Sequence, residues 1–155
     1  MIVEGMYTFA GPREAVWALL LDADVLAKTM PGRAVITQVA PDRYEGSMEF
    51  GIGPVAVAFD LVVTLTDLVA PRQYTMTIDG RGGLGVARGW AEVTLNDGGT
   101  AGVTTMNYRA DLQVSGTIAA VGQRMLDSAS AMLLRQGLDA MGRELDRRLA
   151  AAKPS

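Results

Sequence analysis

Apolar residues recur at every second position through most of the chain, then at every third or fourth position towards its end. A period of two belongs to a strand with one buried face, and a spacing of three and four to a helix with one buried stripe. Ile2 to Phe9 reads as a strand with Gly5, Tyr7 and Phe9 on one face. Pro12 suits a first helical turn, Glu14 suits a helix N-terminus, and Ala15-Val16-Trp17-Ala18-Leu19-Leu20 supplies an apolar side. Asp22 or Asp24 can cap a second short helix through Val25, Leu26 and Lys28, which Pro31-Gly32 stops.

Alternation then dominates as far as Val114. Tyr44, Gly46, Met48 and Phe50 share one face, and Gly51-Ile52-Gly53-Pro54 breaks the strand. Val55, Val57, Phe59, Leu61, Val63 and Leu65 share the next face, and Pro71 marks a turn before Tyr74, Met76 and Ile78. Ala91, Val93 and Leu95 follow. Asn96-Asp97-Gly98-Gly99 is a hairpin signal, and Thr104, Met106, Tyr108, Ala110, Leu112 and Val114 complete the alternation. At Ser115-Gly116-Thr117 the period changes. Ile118, Val121, Met125, Ala129, Met132, Leu133, Leu145 and Leu149 recur at helical spacing, with Thr117 suited to cap them. A helix from Ile118 to Ala150 would extend roughly 50 Å, and at least one of Gly122, Gly137 and Gly142 should mark a bend or a close approach.

The expected architecture is α+β, one domain over residues 1–155. About seven antiparallel strands curve around a long C-terminal helix, with two short helices after the first strand. One helix is too narrow to cover a strongly curved sheet, so an apolar cavity between them is expected.

Composition narrows the chemistry. The 155 residues are 49% apolar and 20% charged, with a formal net charge of -3, so no basic excess points to nucleic acid. Cys and His are both absent, which removes disulfides, thiolate nucleophiles, imidazole metal ligands and Ser-His-Asp catalysis. No metal site and no catalytic residue are expected. Met1-Ile2-Val3-Glu4-Gly5 does not read as a signal peptide, and no run of about 18 apolar residues is present, so a cytoplasmic location is expected. Gly80-Arg81-Gly82-Gly83-Leu84-Gly85 looks like a phosphate-cradling loop but lacks a following helix, and reads as a hairpin. Trp17 reads as structural. The parity of Trp90 puts it with Glu92, opposite Val93. Arg124 reads as a surface charge, and the basic excess after Met141 suits the negative end of a helix. The methionines fit either ordinary core or an adaptable cavity lining.

Several local patterns resemble one known family. They are Gly5-x-Tyr7-x-Phe9 with Pro12-x-x-x-Val16-Trp17-x-x-Leu20 and Asp22; Val25-Leu26 with Pro31-Gly32; and Tyr44-x-Gly46 with Gly51-x-Gly53-Pro54-Val55 and Phe59. The most specific is Thr104-x-Met106-x-Tyr108-x-x-Asp111-x-x-Val114-x-Gly116-x-Ile118-Ala119-x-x-Gly122-x-Arg124. Together they resemble the family of the CoxG subunit of carbon monoxide dehydrogenase, within the START-like helix-grip (SRPBCC) superfamily. The resemblance implies a helix-grip fold with Phe59, Tyr74, Met76, Met106 and Tyr108 on the sheet and Met125, Ala129 and Met132 on the helix lining its cavity. It implies an accessory protein that binds a quinone such as menaquinone, without covalent attachment, for a molybdenum-containing CO dehydrogenase-type enzyme. Some family members carry a C-terminal membrane-attaching extension. None is seen in Ala150-Ala151-Ala152-Lys153-Pro154-Ser155, so the expectation stays cytoplasmic, and peripheral contact at the inner face of the cell membrane is only what the resemblance would add. Two other readings stand beside the carrier: a polyketide cyclase or hydratase, as some helix-grip proteins are, and a protein-interaction module with an incidental cavity.

Overall fold

The period change predicted near Ser115 is where the strands end and the helical part begins. The computed structural model describes residues 1–30, 32–99 and 102–152. Strand β1 (Ile2–Phe9) leads into helices α1 (Arg13–Leu20) and α2 (Ala23–Thr29). Six strands follow: β2 (Arg33–Ala40), β3 (Arg43–Ile52), β4 (Val55–Val69), β5 (Gln73–Gly82), β6 (Gly85–Asp97) and β7 (Thr104–Ser115). A 3₁₀ turn over Thr117–Val121 precedes helix α3 (Gln123–Ala152). The sheet has the order β1-β7-β6-β5-β4-β3-β2, and every neighbouring pair is antiparallel. This is the helix-grip architecture expected, and it includes β2, an edge strand that the alternation did not separate from its surroundings.

Local chemistry explains the element ends. The Asp22 carboxylate accepts from the backbone N–H groups of Asp24 and Val25 at 3.0 and 3.2 Å, so Asp22 rather than Asp24 caps α2. Pro12 stands just before α1, where its carbonyl accepts from Ala15 and Val16. The stop expected at Pro31-Gly32 begins on a residue outside the described ones; α2 itself ends at Thr29. One expectation is corrected. The long helix does not run from Ile118 and Thr117 does not cap it: the 3₁₀ turn intervenes, and Gly122, at φ 96°, breaks the chain before α3 starts at Gln123. A left-handed residue is what glycine supplies without strain.

Curvature has a readable cause as well. A Cβ at Gly46 would strike the Val35 carbonyl, and one at Gly89 would strike the Asp111 carbonyl. At both places a strand coils so tightly against its neighbour that only glycine fits, the device that bends a sheet round a helix.

The buried core forms two clusters. One lies under α1 and α2 and includes Phe9, Val16, Leu19, Val25, Tyr44, Leu65, Tyr74, Val93, Leu95, Met106, Leu138 and Leu145. The other lies where the β3–β4 hairpin meets the start of α3, with Ile52, Val57, Phe59, Ile118, Leu126 and Ala129. Each fully buried aliphatic or aromatic side chain among these is worth about 1.5–3 kcal/mol.

Candidate functional site

The strand register sets the inward residues in rows across the concave face. Leu95, Met106 and Tyr7 form one row, and Tyr74, Val93, Tyr108 and Gly5 the next. Leu65, Met76, Ala91, Ala110 and Val3 come third, then Tyr44, Val63, Ile78, Gly89 and Leu112. Ile36, Gly46, Leu61, Gly80, Ala87 and Val114 come fifth. In a filled core, burial should be greatest at the sheet centre. Here the order is reversed. Along β4, Val57 and Phe59 are buried, Leu61 and Val63 are half-exposed, and Leu65 is buried again. Ile78, Leu112 and Val114 are likewise only partly covered.

Helix placement accounts for that reversal. The α3 backbone draws near β1 and β3 on the two flanks of the sheet, and near α1 and α2, with no comparable approach to β4–β7. Three inward positions in the fourth and fifth rows are glycine, so the floor there is low as well. The candidate hollow is therefore this partly covered apolar band between α3 and the middle of the sheet, with the two buried clusters to either side.

The residues expected to line a cavity are distributed unevenly about this hollow. Met76 and Tyr108 are half-buried and border it. Tyr74 and Met106, at 6% and 4% exposure, are packed into the first cluster, Tyr74 meeting the edge of Trp17 at 5.5 Å. Phe59 and Ala129 are packed into the second. Met125 and Met132 leave the core-facing stripe of Leu126, Ala129, Leu138 and Leu145, and are 40% and 54% exposed. Met125 reaches the β3–β4 turn, where its sulfur would lie 3.3 Å from a Cβ on Gly53. The eight residues therefore do not enclose a single pocket. Leu61, Val63, Ile78, Leu112 and Val114 were not among them, although their parity and the inward glycines beside them carried the signal.

Two surface grooves are defined elsewhere. One, of about 420 Å³, runs past Gly32, Arg33, Glu49, Gly51, Ala56 and Ala58, mostly residues of the outward phase. The other, of about 360 Å³, lies where Met1–Glu4 meets Gln123, Asp127 and Ala131 of α3. Neither is bordered by the residues expected to line the cavity.

Polar groups gather away from the hollow. The Tyr7 hydroxyl donates to Asp139 at 2.8 Å, and burial together with that carboxylate pushes its pKa up to about 12. The Tyr44 hydroxyl donates to the Leu21 carbonyl at 2.5 Å, and burial raises its pKa. Burial raises that of Tyr74 further. Glu144, nearly buried, accepts from Lys28 of α2 at 3.2 Å and from Arg147, while Arg148 reaches Asp22 at 2.7 Å. The carboxyls of Asp22 and Glu144 are held below the usual range by hydrogen bonds from these cations. The basic residues late in α3 thus tie it to α2; among the described residues none stands in its last turn, so they do not meet its negative end as expected. Trp90, outward as its parity predicts, is 39% exposed. Gly82 and Gly85 bound the β5–β6 hairpin, as read from the glycine cluster. Among the described residues, no three acidic side chains converge on a metal-binding set, and no helix is long and apolar enough to cross a membrane.

Comparison with known proteins agrees with this geometry. A conserved protein from Geobacillus kaustophilus has a similar structure, with a TM-score of 0.89 at 26% identity over 95% of this chain and 96% of that one. The ZhuI aromatase/cyclase from Streptomyces sp. R1128 shares the fold, with a TM-score of 0.75 at 16% identity over 99% of each chain. TTHA0849 from Thermus thermophilus does so at 0.73 and 12% identity, over 99% of this chain and 100% of that one. No curated protein matches the sequence. The model of the carbon monoxide dehydrogenase CoxG family matches residues 5–145, a span that takes in the sheet, its closing helices and most of α3, and the chain belongs to that family.

Proposed function

We propose that this protein binds a hydrophobic small molecule, a quinone, in the hollow between α3 and the centre of the sheet. In this reading it acts as an accessory quinone carrier for a CO dehydrogenase-type molybdenum enzyme, and catalyses no turnover of its own. The observation that carries the proposal is the half-exposed apolar band of Leu61, Val63, Ile78 and Leu112 between two closed clusters. Apolar surface left uncovered at the middle of a fold is a site for an apolar occupant. The family description supports the choice of partner enzyme. The five inward rows offer phenols and aliphatic groups but no carboxylate or imidazole for acid–base work, which supports a carrier over a cyclase.

The test is a series of quinone analogues with lengthening isoprenoid tails. Each five-carbon unit buried contributes up to about 4 kcal/mol, at about 0.8 per carbon, less the cost of ordering the tail. Affinity should rise by at least about tenfold per unit until the hollow is full, and then flatten. Ala110→Trp puts an indole into the third row and should abolish the rise while the melting transition stays cooperative. Quenching of Trp17, which packs against Tyr74, reports binding; Trp90 on the outer face is removed beforehand as Trp90→Phe. Affinity independent of tail length, with Ala110→Trp binding like the parent, would sink the proposal.

A further inference from the structure

Four tyrosines stand on inward strand positions, and three of them are spoken for. Tyr7 donates to Asp139, Tyr44 donates to Leu21, and Tyr74 is 6% exposed against the edge of Trp17. Tyr108 differs. Unlike Tyr7 and Tyr44, its hydroxyl makes no hydrogen bond to any described residue, and unlike Tyr74, whose hydroxyl makes none either, it is only half-buried, against the edge of the first cluster.

Its ring lies over β1 because Gly5 is there. Gly5 pairs with Tyr108 in the register, and a Cβ at Gly5 would come within 2.5 Å of the Tyr108 Oη and 2.9 Å of its Cζ. Gly5 therefore acts as the seat of the phenol, although its backbone is in a region any residue can adopt. In the register, the inward positions next to the Tyr108–Gly5 pair are Val3, Val93, Met106 and Ala110, which are apolar, and Tyr7, whose hydroxyl donates to Asp139 of α3. No charged side chain falls on the inward phase of β3, β5 or β7, nor on that of β6 before Asp97 at its far end. A carboxylate brought to these strands loses its hydration and meets no cation on their inward faces, while the α3 group bonded at β1 is the Asp139 carboxylate; a carbonyl needs one donor and little else.

We propose that Tyr108, held over Gly5, donates the hydrogen bond that orients the ligand head, so that the hollow selects uncharged ligands with a carbonyl acceptor over equally apolar carboxylates. The inference rests on the ligand-binding reading above and adds the chemistry of the head group.

The experiment measures displacement of the neutral dye Nile red from the full chain by three ligands of matched length: pentadecan-2-one, pentadecane and pentadecanoic acid. Work at about pH 8 keeps the acid ionised. In the parent protein the ketone should bind roughly three- to tenfold more tightly than the alkane, the worth of one hydrogen bond, and the acid most weakly. Tyr108→Phe should bring the ketone down to the alkane while alkane binding and the melting temperature hold. Gly5→Ala keeps the hydroxyl but unseats the ring, and should produce the same selective loss. A ketone-to-alkane ratio unchanged in Tyr108→Phe, or an acid that binds like the ketone, overturns the role of Tyr108 and leaves the carrier proposal standing. If neither ketone nor alkane displaces the dye, the ligand-binding reading falls, and this inference with it.

Discussion

Two glycines in similar sequence surroundings do different work. Gly89 interrupts the alternation of β6 where a Cβ would strike the Asp111 carbonyl, whereas Gly83 sits at a hairpin tip with nothing within 4 Å. Gly89→Ala should cost about 1–3 kcal/mol in chemical unfolding, because backbone must shift to admit it. Gly83→Ala should stay within about 0.5 kcal/mol of the parent. Equal losses at the two sites would mean that curvature does not depend on the missing side chain. Inward parity was legible for Tyr44, Tyr74 and Tyr108, and outward parity for Trp90, because a strand fixes direction by a period of two. The crowding at Gly89 was not, since it depends on which strand lies alongside and how tightly the pair coils. The hydroxyl partners were hidden for the same reason: Tyr7 and Asp139 are 132 residues apart.

At the scale of elements, α2 and α3 are joined by a small set of ion pairs, Lys28 to Glu144 and Arg148 to Asp22. In the folded chain the Asp22 and Glu144 carboxyls bind protons less readily than in the unfolded chain, where they titrate at about 4. Their contribution is complete above that unfolded value and is lost as the pH falls through the lower folded ones. Tyr7 works the other way, its pKa raised from 10.0 to about 12. Its contribution is complete below about pH 10 and is lost on the way to 12. The melting temperature should therefore hold level near neutrality, fall below about pH 4 and fall again above about pH 10. Asp22→Asn should make the acid fall shallower, and a profile with the parent's slope would count against the ion pairs. The same residue can cap a helix in either charge state, so Asp22→Ala adds a loss of about 1 kcal/mol at neutral pH. Element identity was plain in the sequence because period and turn residues agree. The onset of α3 was not, because Ile118 and Val121 keep helical spacing through the 3₁₀ turn and only the conformation of Gly122 reveals the break.

For the whole molecule, the sequence made the sheet-and-helix arrangement readable and its interior much less so. Tyr74, Met106 and Phe59 have the right parity for a cavity wall, yet α1, α2 and the β3–β4 hairpin cover them. Parity says which side of a sheet a residue faces, and only the packing of other elements says whether that side is filled. A hollow that takes an occupant also ties stability to ligand concentration. A quinone analogue at 100 times its Kd should add about 2.7 kcal/mol to unfolding, read as a rise in melting temperature that grows with concentration. A melting temperature that does not move at saturating analogue would show that the analogue does not bind the folded chain in preference to the unfolded one.

The pairing of β1 with β7 carries a different consequence, one of timing. Ile2 finds its partner at Asp111, and the Met1 amino group donates to the Leu112 carbonyl at 2.8 Å. On a ribosome the first strand therefore waits, with the row of backbone groups that β7 will pair still open, until the residues up to Leu112 have emerged. Contacts this distant in sequence slow the search for the native state, and an unpaired edge is open to the wrong strand meanwhile. The helices directly after β1 shorten that hazard, since α1 and α2 can gather Phe9 and Tyr44 into the first cluster before β7 exists. Assembly would then begin at the end beneath α1 and α2, and α3, made after every strand of the sheet, would close over it when everything beneath is already in place.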